Sequence, residues 1–158
     1  MAIFMKMEGI DGNSTSAGHE GWVIVDSLQF GIGRGIPSPQ GSEADREAST
    51  PSVSEIVVTK TMDKASSKLF EGALCGEGVK CEIHLCKTDA GQPEPYTKYD
   101  LEDVLISGYS MSSGGDRPTE SLSLNFTKIT YTYIPMKDKN ETGDPYPCGY
   151  DLAKQSPI

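Results

Sequence analysis

The sequence predicts a mainly β fold: an antiparallel β-barrel or strongly bent two-sheet sandwich, with one amphipathic α-helix packed outside it. Three features carry that reading. Apolar residues recur with period two through most of the chain, the mark of strands with one buried face. Only one segment, Asp63 to Gly76, carries an i, i+4 apolar stripe, and a lone amphipathic helix has one face to bury against a sheet. Two long strand segments slip phase midway, as β-bulges do when a sheet bends round toward closure.

The first strand is the N-terminal alternation in MAIFMKMEG, with Ile3, Met5 and Met7 against Phe4 and Lys6. The stretch lacks the charged n-region, long h-region and small-residue cleavage site of a signal peptide. Asp11 to Gly18 is a turn or loop by composition. The stretch GHEGWVIVDSLQFGIGRG follows, with Trp22, Ile24, Leu28, Phe30 and Ile32 expected on the buried face and Gly31, Gly33 and Gly35 leaving the other face nearly bare. A strand face without side chains implies a close backbone neighbour or a sharp bend. Residues 33–52 hold Gly, Pro, Ser, Thr and both charge signs with no apolar period. An extended loop of this length is a surface insertion or a functional segment.

The next strand spans about Val53 to Met62, with Ile56, Val58 and Met62 on one face. Asp63 suits the N-cap of the helix, Ala65, Leu69, Phe70, Ala73 and Leu74 form its apolar stripe, and Gly76 closes it. The strand Val79 to Lys87 alternates cleanly, with Val79, Cys81, Ile83 and Leu85 inward and Lys80, Glu82, His84 and Cys86 outward. After a turn at Gly91 to Pro95, the strand from about Tyr99 to Met111 needs one extra residue near Glu102 or Asp103 to bring Leu101, Val104 and Ile106 to one face. A similar slip separates Leu122, Leu124 and Phe126 from Ile129, Tyr131 and Tyr133. Residues 137–158 read as a polar tail with a short apolar patch at Tyr146, Tyr150 and Leu152. No linker separates two periodic regions, so residues 1–158 are expected to form one domain.

Composition narrows the function. The formal net charge is −9 and the basic residues are scattered, which argues against a nucleic-acid partner, since phosphate neutralisation needs clustered cations. No window approaches the roughly 18 apolar residues of a membrane span. The four cysteines, Cys75, Cys81, Cys86 and Cys148, read as free thiols rather than a disulfide framework. Cys81 and Cys86 lie five apart and so face opposite sides of a strand, which disfavours a metal site.

Catalytic patterns fail their context tests. The GxGxG run at Gly31 to Gly35 opens no helix, so it is not a dinucleotide loop. His19-Glu20 lacks the second histidine of a metalloprotease motif. His84 and Cys86 share a face but have no evident third orienting group. No catalytic, cofactor-binding or metal-ligating residue is expected, and no cofactor.

Four ordered blocks resemble the Hcp (haemolysin-coregulated protein) family of bacterial type VI secretion systems: GHEGWVIVDSLQFGIGR at 18–34, TKTMDKASSKLFEGALCG at 59–76, YDLEDVLISGYSMSSGGDRPTESLSLNFTKITYTYIP at 99–135 and GYDL at 149–152. The resemblance implies a β-barrel subunit that assembles six to a ring, with rings stacking into the inner tube that a contractile sheath propels out of the cell. Implied partners are further copies of the chain, the sheath and spike proteins, and small effector proteins held in the lumen. It implies assembly in the cytoplasm and export through the injection machine itself, without a signal peptide. Gly31, Gly33, Arg34 and Gly35 are then candidate ring or stacking contacts. Ser112 and Ser113, in GYSMSSGGDRPT, are candidate lumen contacts with cargo, against the plain alternative of a hairpin turn. A dedicated effector-carrying ring and a non-catalytic binding β-sandwich are the alternative functions.

Overall fold

The computed structural model describes residues 2–36, 50–87, 93–135 and 143–158. Twelve strands and one helix occur among them: β1 (Ala2–Met7), β2 (Val23–Val25), β3 (Ser27–Gln29), β4 (Ile32–Gly33), β5 (Ser52–Val53), β6 (Ile56–Thr61), α1 (Ser66–Cys75), β7 (Val79–Lys87), β8 (Glu94–Ser112), β9 (Thr119–Asn125), β10 (Lys128–Tyr133), β11 (Tyr146–Asp151) and β12 (Ser156–Pro157). Every pairing is antiparallel.

Following the pairings round, β8 joins β9, then β6, then β3, while on its other side it joins β7, β1 and β2. The circuit closes where β2 passes into β3: at the bend between them the Asp26 N–H donates to the Thr59 carbonyl of β6 at 2.7 Å. The result is a β-barrel whose two corner-turning segments are β8 and β2–β3, with β10, β11 and β12 extending from the first half of β8. Residues 146–157, expected as part of a polar tail, instead add two strands to this flank.

The phase slip in β8 is a bulge. Val79 and Cys81 of β7, two residues apart, face Val104 and Leu101, three apart. The extra residue falls at 102–103, where Asp103 takes a positive φ of 54°, a conformation aspartate tolerates better than most side chains. The second slip is a break between strands: β9 pairs with β6 and the far half of β8, and β10 pairs with the near half.

Residues 22–32 depart from the expected register. Val23 and Val25 are the buried residues, whereas Ile24 is 47% exposed and Ile32 65% exposed. The chain crosses from one sheet to the other at Asp26, so inward-facing residues change parity there and the apparent single strand is three.

The core gathers Met5, Val23, Ile56, Val58, Leu69, Cys81, Ile83, Leu101, Leu122 and Leu124 within the barrel wall and under the helix. Helix α1 buries Leu69 completely, with Ala65 preceding it. Gly72 lets the helix approach β8 closely, since a Cβ there would meet Ile106 Cδ1 at 3.2 Å. Phe70 and Leu74 do not share that face: they are 51% and 71% exposed, because the inward line runs through 65, 69 and 72–73 and leaves 70 and 74 on its flank. The N-cap is Ala65 rather than Asp63. Asp63 caps the turn before it, accepting the Ala65 N–H at 2.9 Å, while Ser66 Oγ accepts the Asp63 N–H at 3.0 Å. Gly76 ends the helix in extended rather than left-handed geometry.

Candidate assembly surfaces

Gly31 and Gly33 sit at the base of a small ribbon that projects from the barrel. Ile32 and Gly33 pair with Val53 and Ser52. Ser54 fastens the base twice: its hydroxyl accepts the Gly31 N–H at 2.7 Å, and its N–H donates to the Gly31 carbonyl at 2.8 Å. A Cβ at Gly31 or Gly33 would meet nothing within 4 Å. At Gly31 and Gly33 the bare face seen in the sequence therefore approaches no other backbone among the described residues. Arg34 and Gly35 follow, exposed, at the end of the ribbon. Most of the 33–52 loop lies outside the described residues.

Beside the ribbon, the strand flank forms an apolar groove of about 400 Å³ lined by Phe30, Ile32, Tyr99, Tyr131, Cys148 and Tyr150 among others. Phe30 and Tyr131 both pack on the Tyr99 ring, at centroid distances of 5.3 and 5.2 Å. Tyr131, Tyr133 and Tyr146 keep 39%, 46% and 67% exposure. Clustered exposed apolar surface of this kind marks interaction sites. The sequence reading missed it because its residues come from strands far apart in the chain.

Ser112 and Ser113 lie at the far end of the β8–β9 hairpin. Ser112 closes the ladder opposite Thr119, and Ser113 Oγ donates to the Asp116 carbonyl at 3.2 Å. Gly115 takes φ +109°, so its turn position favours glycine. Residues 111–117 are all exposed. The hairpin tip and the glycine ribbon are separate surfaces in sequence and in sheet.

A buried polar cluster joins β6, β9, α1 and β8, and no sequence expectation included it. Lys60 Nζ lies 3.0 Å from Asp63 Oδ1 as well as pairing with Glu120. Ser66 Oγ donates to Glu120 Oε1 at 2.5 Å, and Tyr109 donates its hydroxyl to Glu120 Oε2. Burial alone pushes the Glu120 carboxyl upward, but hydrogen bonds from Lys60, Ser66 and Tyr109 outweigh it and hold the group below its ordinary range. Tyr109 is pushed up to about 12 by burial and by that same bond. The cluster fixes the start of the helix to the barrel.

The thiols separate as the strand phase requires. Cys81 faces the barrel interior and Cys86 is buried on the opposite side of the sheet, while Cys75 and Cys148 are exposed; all four are free. Among the described residues no group of three or more His, Cys, Asp and Glu side chains could hold a metal ion, and no helix is long and apolar enough to cross a membrane.

Comparison with known proteins identifies the architecture. The family model described as "Type VI secretion system effector, Hcp" matches residues 4–133. The chain is 25% identical to protein hcp1 of Pseudomonas aeruginosa over 156 residues, covering 96% of this chain and 95% of the relative. A solved type six secretion system protein superposes with a TM-score of 0.91 at 28% identity, over 99% of both chains. Hcp1 from Salmonella typhimurium superposes at 0.81 with 25% identity, over 99% of this chain and 98% of that one. Hcp proteins form ring oligomers in type VI secretion and are secreted structural proteins rather than enzymes. With the family model spanning most of the barrel and the solved relatives covering it end to end, this chain belongs to the Hcp family of type VI secretion proteins.

Proposed function

We propose that this chain is a structural subunit of the type VI secretion inner tube. Residues 1–158 act as one domain, six copies close into a ring, and rings stack into a tube that the contractile sheath propels out of the cell beneath its spike. Assembly takes place in the cytoplasm, and export follows through the machine itself. The lumen carries small effector proteins. The end-to-end superposition on a solved type six secretion system protein is the observation that carries this reading.

Two features of this chain favour assembly. A ring needs two unlike surfaces on each subunit, since each copy offers one face and receives another. The tyrosine-lined groove and the exposed Phe70–Leu74 helix flank are two such unpartnered apolar surfaces. Gly31 and Gly33 stand on a projecting ribbon with open space where a side chain would be, and Arg34 and Gly35 follow on its exposed surface, which suits a contact with a neighbouring subunit or ring. Ser112 and Ser113, small and hydroxylated, are assigned to the lumen, where each neutral hydrogen bond contributes only about 1 kcal/mol net and cargo is released readily.

Native mass spectrometry tests the central point. A six-fold multiple of the 17.0 kDa chain is expected; a clean monomer at micromolar concentration overturns the ring.

A further inference from the structure

We propose that His19 and His84 form an acid-opened clasp, whose protonation releases the β1–β2 loop from the outer face of the sheet and uncovers the Cys86 thiol. His19 sits in the loop between Met7 and Val23 and is only 4% exposed. It is stacked on Phe4 of β1 at 4.6 Å and meets Trp22 edge-on at 4.8 Å. Its Nε2 lies 3.0 Å from Nδ1 of His84 on β7, and 3.8 Å from the Sγ of the fully buried Cys86. Trp22 in turn covers the His84 ring at 4.6 Å.

The contact between the rings needs one nitrogen to donate and the other to accept. Either ring can fill either role; the tautomer that turns His84 Nε2–H toward the Glu82 carboxylate leaves His84 Nδ1 bare as acceptor and His19 Nε2–H as donor. An added proton has two places to go, and both are poor. At His84 Nδ1 it sets two donors face to face. At His19 Nδ1 it charges a buried nitrogen; the Ala17 backbone eases that charge without completing a hydrogen bond there.

The surrounding charges do not rescue the protonated state. Lys98 of β8 lies directly across the ladder from His84 and opposes a second cation. Glu82 of β7 stands 3.7 Å from His84 Nε2 but is half exposed, and Glu20 in the loop favours charge on His19 only weakly against burial. Cys86 is held up at about 11 by burial and remains a neutral thiol. Burial, then Lys98 and His19, hold His84 down at about 4, and burial holds His19 below its ordinary value. Release takes the loop's cover and the His19 ring off His84, so both rings move toward 6.5, while Lys98 stays across the ladder and keeps His84 short of it. Acid therefore favours release: for His84 alone, the open population grows by at most about 30-fold between pH 7.5 and pH 5.

Cys86 reports the opening. The whole protein is treated with 4,4′-dithiodipyridine at pH 7.5 and pH 5, and the labelled cysteines are located by mass mapping. Cys148 lines the groove assigned to a subunit contact, so N-acetylcysteine at the same pH serves as the reference thiol. The expected result is a Cys86 rate, normalised to that of N-acetylcysteine at the same pH, that rises severalfold and up to about 30-fold in acid while Cys81 stays unlabelled. In the variant His84→Gln the normalised rate is expected to lose most of its pH dependence. An unchanged normalised rate in the wild-type protein overturns the clasp, as does simultaneous labelling of Cys81, which signals global unfolding. Should His84→Gln fail to fold, amide exchange in the wild-type protein decides. The Ser14, Gly21 and Trp22 amides, all hydrogen-bonded within the loop, are expected to lose protection on acidification after correction for intrinsic rates; unchanged protection overturns the proposal.

Discussion

Lys60 Nζ lies 2.7 Å from Glu120 Oε1, and neither side chain has any exposed surface. The two residues are direct cross-strand partners in the β6–β9 ladder. Removing one partner of a buried pair strands the other charge and costs about 3–5 kcal/mol, whereas replacing both with apolar residues of similar volume is often near neutral. Lys60→Met is expected to be the worst single change, because it leaves both Glu120 and Asp63 without their cation. The double variant Lys60→Met/Glu120→Leu is expected to recover much of that loss. Urea denaturation of Lys60→Met, Glu120→Leu and the double variant checks the ordering, and a double variant less stable than Lys60→Met contradicts it.

Acid stability should fall in two windows. The His84 imidazole is depressed in the folded state to about 4 from 6.5. The unfolded chain therefore binds the proton first, and stability is lost as pH falls from about 6.5 toward 4. Integrated over that window, His84 contributes roughly 3 kcal/mol. Glu120 is also depressed in the folded state, but as a carboxylate its contribution is present above its unfolded value of 4.5 and is lost below it. Denaturation midpoints from pH 8 to pH 3 are expected to show both declines, and His84→Gln should flatten only the upper one.

Glycine substitutions separate assembly from folding. Gly31 and Gly33 have open space where a side chain would stand, so Gly31→Leu and Gly33→Leu are expected to leave the subunit's far-UV circular dichroism and secondary structure intact. If these glycines meet a neighbouring copy, the same changes weaken ring formation or stacking. Sedimentation velocity distinguishes the outcomes; unaltered assembly in both variants removes these positions from the interface.

Helix α1 offers an internal contrast. Leu69 is fully buried, while Leu74 is 71% exposed. Leu69→Ala is expected to cost about 2–5 kcal/mol, and Leu69→Asp more, since it buries a charge against the barrel. Leu74→Ser should change subunit stability by less than about 0.5 kcal/mol. Equal losses at the two positions would mean that the helix is rotated about its axis.

For the hairpin tip, Ser112→Gln and Ser113→Gln are expected to preserve ring assembly and lower the cellular level of one or more effectors. Broken rings, or unaffected effectors, reduce the segment to a turn.

Much of the fold was legible because its signals are local. Alternation through β7, the stripe of α1 and the slip at Asp103 each lie within a dozen residues. The crossing at Asp26 was not legible, since a strand that changes sheets keeps its apolar alternation while reversing what counts as inward. The Lys60–Glu120 cluster was hidden because pattern reading sends charges to solvent. A signal did exist: Lys60 falls in phase with Ile56 and Val58, and Glu120 with Leu122 and Leu124. Opposite charges on the apolar phases of two strands announce a pair, but sixty residues of chain separate them. The groove was out of reach for the same reason, being assembled from Phe30 and from residues of β4, β8, β10, β11 and β12.

The sharing of β8 between both sides of the barrel has a mechanical consequence. In a plain two-layer sandwich the sheets meet only through side chains, and they can slide past one another by repacking. Here a single strand of 19 residues runs from one layer into the other, and Asp103 makes the corner. Displacing one layer along the other requires either unzipping a ladder on β8 or straightening that corner. The subunit wall therefore resists shear through directional backbone hydrogen bonds as well as through its apolar filling, and it bends as a shell does, around fixed creases.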